Sequence, residues 1–262
     1  MLGGNLMRHN NTFYHPSFPD TFKYKGFHVP IYRIIPFHRI LDILKNKNLH
    51  ISQTLQWEDS YENFLAKADV RMGNLPITFR DFLPCFYGQC WSLLKETDAM
   101  WRIYSPEKTG VQIRTTIYKL LEASLNEELS NEFDTKIRVV GQVKYLSNNQ
   151  INKWVLGQDV TSMTETSLLE SLFIKRKEFS HEKEVRLIIN KRIDRDNELR
   201  DIQRKFIQFP IDPNDFLDEV TFDPRLSNSD FDIYFHVLKA LGYNNTVRKS
   251  QLYNFSPHKI EW

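Results

Sequence analysis

Short β-rich runs alternate with amphipathic helical patterns along most of the chain, and this alternation limits the fold more than any other feature. HVPIYRII is rich in β-branched residues and predicts a buried strand. FHRILDILKNKN follows it and predicts an amphipathic helix that ends at Asn48. Its apolar side is formed by Ile40, Leu41, Ile43 and Leu44. Repeated units of this kind predict an α+β protein with a mixed sheet surrounded by helices.

The same signals continue to the end of the chain. Strands are predicted in LHISQT, CFYGQCWSLL with a bulge at Gly88, VQIRTTI, IRVVGQVKYL, EVRLIIN, EVTFDP and TVRKSQLY. Helices are predicted in TDAMWRIY, in YKLLEASLNEEL, over most of 147–173 and in DFDIYFHVLKALGY, which Gly242 ends. NELRDIQRKFIQFPI fits either structure.

The chain offers no linker at which it could be cut. Residues 1–26 are polar and aromatic, with prolines and a glycine, and predict an irregular N-terminal arm. Residues 27–262 show neither a repeat nor a low-complexity segment, so we expect one domain there. A domain of this length buries a full core without covalent staples.

Composition and motifs exclude several classes of protein. The formal net charge is +2, too small for a general nucleic-acid coating protein. Cys85 and Cys90 do not form a Cys-x-x-Cys pair, and we expect free thiols in a reducing compartment. The chain shows no signal peptide and no apolar run of roughly 18 residues, so we expect a cytoplasmic protein without a membrane partner. Phosphate loops, zinc motifs and the Gly-x-Ser-x-Gly elbow are also absent from the sequence, and no metal is expected.

One segment places unusual charge on a predicted strand. In HEKEVRLI, the residues Glu182, Glu184 and Arg186 alternate and are expected to share one strand face. Burial of three charges is expensive, so they are solvated, mutually paired or functional. The pattern alone favours a ladder on an exposed sheet face.

Two further segments combine polar and aromatic residues. IYRIIP carries Tyr32 and Arg33 on a strand, and QCWSLL carries Ser92 shortly before MWRIY, which holds Trp101 and Tyr104. Aromatic residues at such positions belong to the core more often than to a ligand platform.

Five blocks of sequence together resemble a bacterial family known as domain of unknown function 2971, from about Ile31 to the C-terminus. The blocks are IYRIIP; LHISQT with WEDSYENF; CWSLL with MWRIY and GVQI; IKRKEFSHEKEVRLI; and VTFDPRLSNSDF. The chain departs from the family pattern at Trp91, where Phe is usual, at Phe179, where Trp is common, and in EDSYE, which replaces an Asn-Asp-Pro turn.

The same arrangement resembles the ADP-ribosyltransferase fold, whose split β-sheet core carries its site in a cleft between strands. The resemblance implies that Arg33, Ser92 and Glu184, preceded by Glu182, form the three signatures of that site. It implies NAD as substrate, with Glu184 stabilising an oxocarbenium-like transition state and Arg33 binding the pyrophosphate. Ser92 would support the ribose or the catalytic glutamate.

The remaining roles follow from the same resemblance. Glu182 would orient or deprotonate the acceptor, and Glu182 and Glu184 both remain candidates for the catalytic carboxylate. Tyr32 would bind the NAD, while Trp101 or Tyr104 would stack on its nicotinamide.

The resemblance implies an NAD-dependent mono-ADP-ribosyltransferase acting as a bacterial toxin or anti-phage effector, with an antitoxin as a candidate partner. RNA is favoured slightly over protein as the acceptor, because FIKRKEF and RDIQRKFIQF combine basic and aromatic residues. A solvated helix or strand edge explains both stretches equally well. Two alternatives stay open: another enzyme on this fold, such as an NAD hydrolase, and a non-catalytic module that binds a nucleotide or a partner.

Overall fold

The computed structural model describes residues 7–9, 12–14, 28–57, 62–65, 70–72, 74–77, 86–125, 135–157, 165–191, 205–257 and 259. In chain order its strands are β1 (Met7–His9), β2 (Thr12–Tyr14), β3 (Pro30–Ile35), β4 (Asn48–Gln53), β5 (Val70–Met72), β6 (Leu75–Ile77), β7 (Phe86–Ser92), β8 (Val111–Thr116), β9 (Thr135–Gln142), β10 (Lys144–Leu146), β11 (Ile174–Arg176), β12 (Glu184–Lys191), β13 (Phe206–Pro210), β14 (Glu219–Phe222) and β15 (Thr246–Lys249).

The α-helices are α1 (Phe37–Asn46), α2 (Asp98–Tyr104), α3 (Ile117–Leu125), α4 (Asn148–Leu156), α5 (Glu165–Ser171), α6 (Pro213–Phe216) and α7 (Asn228–Ala240). Two short 3₁₀ helices cover Thr54–Gln56 and Lys177–Glu182.

The chain forms two compact units, each assembled from segments that are far apart in sequence. The first unit comprises Met1–Val29, Leu49–Leu93 and Thr116–Pro210, and the second comprises Pro30–Asn48, Leu94–Thr115 and Ile211–Trp262. The expectation of one domain over 27–262 stays a prediction.

The first unit is built on a sheet that mixes parallel and antiparallel strands. Its strands run in the order β1-β2-β9-β12-β7, with β4 beside β7 and β13 beside β4. β2 lies parallel to β9, whereas β12 is antiparallel to both β9 and β7. Apolar residues of α5 pack against Phe86 on β7 and Ile188 on β12. The residues of β12 from Glu184 to Asn190 are all buried, charged and polar ones included, so both faces of this strand are covered.

The second unit has a sheet in the order β3-β8-β14-β15. β14 is antiparallel to β8 and parallel to β15. Ile34 of β3 packs with Met100 and Trp101 of α2 in a small core. Mixed sheets accompanied by several helices confirm the predicted α+β class.

Local structure departs from the sequence prediction at three places. α1 ends at Asn46, and Lys47 rather than Asn48 adopts the left-handed conformation, with φ 52°, that closes the helix. The predicted bulge at Gly88 is wrong, since β7 and β12 pair in continuous register through Gly88 and Ile188. Within the predicted irregular arm, β1 and β2 are regular antiparallel strands.

The structure describes one of the two cysteines. Cys90 is a free thiol, and burial raises its pKa well above the ordinary value; Cys85 lies outside the described residues. None of the helices in the part of the chain that the structure describes is long and apolar enough to span a membrane.

Candidate functional site

Small side chains on β7 face charged and bulky ones on β12. The antiparallel register pairs Ser92 with Glu184, Cys90 with Arg186 and Gly88 with Ile188. Directly paired residues project from the same face of a sheet, so these three pairs form one row. The small residues of β7 leave volume above the sheet that longer side chains from other segments fill.

Arg186 lies at the bottom of this volume and is fully buried. Its Nη2 donates to Glu62 at 2.5 Å and to Glu184 at 2.9 Å, and its Nη1 donates to the Leu172 carbonyl at 2.6 Å. The guanidinium also lies over the Trp57 ring, 4.4 Å from the ring centroid. A buried guanidinium is stable only with partners of this kind.

Lys175 of β11 is a second buried cation beside the same carboxylates. Its Nζ lies 2.6 Å from Glu182, 3.5 Å from Glu184 and 3.6 Å from Glu62. We call Glu62, Lys175, Glu182, Glu184 and Arg186 the charge cluster; it holds three carboxylates and two cations.

The backbone that carries the two adjacent glutamates is tightly held. Lys183 between them adopts a left-handed conformation with φ 46°. The Ser92 hydroxyl donates to the Glu182 carbonyl at 2.6 Å, and the Glu184 N–H donates to the Tyr145 hydroxyl at 2.8 Å. These bonds fix the turn from the 3₁₀ helix into β12, and with it the direction in which both carboxylates leave the chain.

The pKa values of two carboxylates in the charge cluster are shifted in opposite directions. Burial tends to raise the pKa of Glu184, but Arg186 and Lys175 outweigh it and hold that pKa below the ordinary value. For Glu62 burial dominates, and its pKa is raised despite the same two cations. Such divergence within one group of acids is typical of functional sites.

Four of the five side chains of the charge cluster keep a small contact with solvent. The side chains of Glu62, Lys175, Glu182 and Glu184 keep 7–9% of their surface exposed, whereas that of Arg186 keeps 0%. The carboxylates and Lys175 thus lie on the outer side of the charge cluster, and Arg186 lies beneath them.

The structure places Ser92, Glu182 and Glu184 close together, and their roles in a site stay predictions. Two details of the sequence interpretation are wrong. Glu182 ends the Lys177–Glu182 3₁₀ helix instead of sharing the strand with Glu184 and Arg186. The exposed ladder is also wrong, because all three side chains are buried and paired within the charge cluster.

The other predicted site residues belong to the second unit. Tyr32 and Arg33 lie on β3, where Tyr32 is buried and Arg33 is half-buried. Trp101 is fully buried, and its indole N–H donates to Glu96 at 3.1 Å. Tyr104, in contrast, is 40% exposed. Of the two aromatic candidates for stacking, Tyr104 is the one with an accessible ring, and the binding roles of all four residues stay predictions.

Sequence reasoning missed Glu62, Lys175 and Tyr145 as parts of this site. A signal existed for two of them, since Glu62 closes the EDSYE block and Lys175 begins the basic segment that leads to Glu182. Tyr145 carried no signal, because its contact with Glu184 depends on the pairing of β10 with β11. Within the described ranges, no group of three or more His, Cys, Asp or Glu residues is arranged to hold a metal ion.

Comparisons with known proteins extend these observations. The chain is similar to solved structures of Thermus sp. 2.9 DarT, one in complex with NAD+ and one in complex with ADP-ribosylated ssDNA. Each is 13% identical, with a TM-score of 0.39, and the alignments cover 86% of this chain and 96% and 95% of the respective DarT chains. No curated protein matches the chain. Residues 100–187 match the family model described as "Protein of unknown function (DUF2971)", which confirms the resemblance to that family over this segment.

Proposed function

We propose that the protein is an NAD-dependent mono-ADP-ribosyltransferase and that Glu184 is its catalytic carboxylate. The observation that supports this most is the state of Glu184, a buried acid whose pKa is held below the ordinary value by Arg186 and Lys175. A carboxylate that stays ionised in a poorly solvated place is suited to stabilise a positive charge that develops nearby.

The reaction needs such a group. The bond between the nicotinamide nitrogen and ribose C1′ breaks, and its electron pair leaves with the neutral nicotinamide. The ribose becomes oxocarbenium-like and positively charged, as in glycoside hydrolysis. The acceptor nucleophile then forms a bond to C1′ and loses its proton. The Glu184 carboxylate stabilises the charged ribose, and Glu182 receives or orients the acceptor proton.

The other residues take binding and supporting roles in this proposal. Arg33 binds the pyrophosphate through its guanidinium fork, Tyr32 contributes to NAD binding, and Tyr104 rather than the buried Trp101 stacks on nicotinamide. Ser92 supports the glutamates through their backbone, since its hydroxyl donates to the Glu182 carbonyl.

The acceptor is proposed to be a macromolecule, with RNA slightly ahead of protein. The segment FIKRKEF supports a nucleic-acid acceptor less strongly than its sequence suggested. Phe173 belongs to the core and Lys175 belongs to the charge cluster, so neither is available to an acceptor. Arg176 lies 5.1 Å from the Phe179 ring centroid and keeps the basic–aromatic character of the segment. A role as a cytoplasmic toxin or anti-phage effector with an antitoxin partner completes the proposal.

An NAD hydrolase is the second candidate function, and one observation favours it. The Glu182 carboxylate is hydrogen-bonded to Lys175 at 2.6 Å, so its Oε2 is already occupied and is less available to an acceptor. Incubation of the purified protein with labelled NAD and cell extract separates the candidates. A transferase labels a nuclease-sensitive or protease-sensitive product, a hydrolase releases nicotinamide without labelling a macromolecule, and a binding module does neither.

Glu184→Gln tests the catalytic assignment directly. The amide keeps the shape of the side chain and removes the negative charge, so we expect nicotinamide release to fall about a hundredfold or more. Release is measured by chromatography with labelled NAD at matched concentrations of folded protein.

Glu62→Gln is the matched control, because it removes the same charge from the charge cluster and also contacts Arg186. It is expected to keep release within about tenfold of the unsubstituted protein, since Glu62 is a structural partner of Arg186. Full release by Glu184→Gln, or an equal loss in both variants, contradicts the assignment of Glu184.

A further inference from the structure

Lys175 contacts all three carboxylates of the charge cluster from a single side chain. We propose that Lys175 is a positioning residue that fixes the Glu182 and Glu184 carboxylates relative to each other. This inference rests on the proposed function for its catalytic consequence. The contacts themselves come from the geometry of the charge cluster alone.

The chemistry of an ammonium group suits this role. Its three protons can be donated in three directions, and it accepts no hydrogen bond. Nζ lies 2.6 Å from Glu182 Oε2, 3.5 Å from Glu184 Oε2 and 3.6 Å from Glu62 Oε1. Lys175 is itself buried, so little water is present to replace it between the acids.

Neighbouring elements hold Lys175 in place. β11 pairs in parallel with β10 so that Lys175 lies opposite Tyr145, whose hydroxyl accepts the Glu184 N–H. The two paired residues therefore hold the side chain and the backbone of Glu184 respectively. The ammonium also lies 4.8 Å from the Phe179 ring centroid, on the 3₁₀ helix that ends at Glu182. Lys175 thereby joins the end of that helix to the start of β12.

Electrostatics give the removal of Lys175 a measurable signature. Glu184 faces Glu62 and Glu182, which disfavour its ionisation, and Arg186 and Lys175, which favour it. The Cys90 thiol and the Tyr145 hydroxyl beside it are uncharged donors or acceptors, because burial raises the pKa of each. Without the ammonium, three carboxylates share one guanidinium, and the pKa of Glu184 should rise by about one unit or more.

The test compares Lys175→Met with Lys175→Arg and with Lys177→Met, which removes an exposed lysine two residues away. For Lys175→Met we expect kcat for nicotinamide release to fall about tenfold to a hundredfold while KM for NAD stays within about twofold. The acid limb of its pH–rate profile should move upward by about one pH unit. Lys175→Arg should recover most of the rate and the original acid limb, and Lys177→Met should behave like the unsubstituted protein.

A second measurement does not depend on catalysis. Carbon NMR of protein labelled at the glutamate carboxyl carbons follows each titration without NAD. Lys175→Met should move at least one buried carboxyl titration upward, and Lys175→Gln serves as a second neutral variant if the Met variant does not fold.

The outcomes separate the two hypotheses. Unchanged carboxyl titrations and an unchanged acid limb overturn the role of Lys175, and so does an equal effect of Lys177→Met. An unsubstituted protein that releases no nicotinamide overturns the proposed function. The NMR titrations then still decide whether Lys175 governs the carboxylates.

Discussion

Gly88 of β7 lies against the Trp57 ring, which in turn contacts Arg186 of the charge cluster. A Cβ at this position would lie 2.4 Å from Trp57 Cζ2 and 2.9 Å from Ile188 Cδ1. The tip of the Ile188 side chain could move aside, but the 2.4 Å distance to the Trp57 ring is too short, so this ring can lie where it does only above a glycine. Because the same ring supports the Arg186 guanidinium, the missing side chain of Gly88 indirectly determines where Arg186 lies.

Gly88→Ala is therefore expected to displace Trp57. We expect a loss of about 1–3 kcal/mol in the free energy of unfolding, which is typical of overpacking. Gly157→Ala, at the right-handed, exposed end of α4, is the control and should change stability by about 0.5 kcal/mol or less. Both are measured by denaturant unfolding, and equal stability of the two variants would show that Trp57 moves without cost.

At the scale of elements, the junction between the Lys177–Glu182 3₁₀ helix and β12 depends on Lys183. Its φ of 46° lies in the region that glycine tolerates and that other residues occupy at a cost. The backbone contacts of Ser92 and Tyr145 on either side hold it there. The strain is therefore stored in the turn that separates Glu182 from Glu184.

Lys183→Gly tests this interpretation. Relief of strain should offset the greater flexibility of the unfolded chain, so stability should stay within about 0.5 kcal/mol or rise by up to about 1 kcal/mol. Lys177→Gly, in the 3₁₀ helix, has no positive φ to relieve and should lose stability. Thermal unfolding of both variants provides the comparison, and a clear loss in Lys183→Gly argues against strain at this position.

Elements were more predictable from the sequence than the contacts between them. β3 and β12 follow from runs with β-branched residues, β7 lies within the predicted strand CFYGQCWSLL, and α2 lies within the predicted helix TDAMWRIY. Ser92, Glu182 and Glu184 could be placed together because a family resemblance supplied their order. The charge cluster could not be predicted, since the pairing of Arg186 with Glu62 joins residues 124 positions apart. The alternation of Glu182, Glu184 and Arg186 suggested that these side chains are exposed to solvent, whereas in the structure they are buried and paired with each other and with Lys175 and Glu62.

At the scale of the whole molecule, buried acids with lowered pKa values link folding to pH. In the second unit Asp223 is fully buried, and Arg225 donates to it through Nε at 2.9 Å and Nη2 at 2.7 Å. Burial tends to raise the pKa of Asp223, but hydrogen bonds from Arg225 and Ser105 lower it below the ordinary value. An acid whose pKa is lower in the folded state stabilises the fold above its unfolded pKa. That stabilisation is lost as the pH falls through the folded pKa.

We expect the free energy of unfolding to decline below about pH 4 as Asp223 and Glu184 take up protons. Asp223→Asn should destabilise the protein by roughly 3 kcal/mol near neutral pH, because Arg225 loses its charged partner, and should flatten the acid decline. Asp232→Asn, which changes an exposed acid of α7, should do neither. Urea titrations across the pH range measure both quantities, and an unaltered acid slope in Asp223→Asn would assign the decline to other groups.

The separation of Glu62 from Arg186 along the chain has a consequence for biosynthesis. A ribosome delivers Glu62 long before Arg186, and only the later residue supplies the guanidinium that this buried carboxylate requires. Lys175, Glu182 and Glu184 also arrive late and close together. A growing chain therefore cannot hold the charge cluster until most of the first unit has left the exit tunnel. Under the proposed function, a chain that ends before Arg186 lacks the charge cluster and is expected to be inactive.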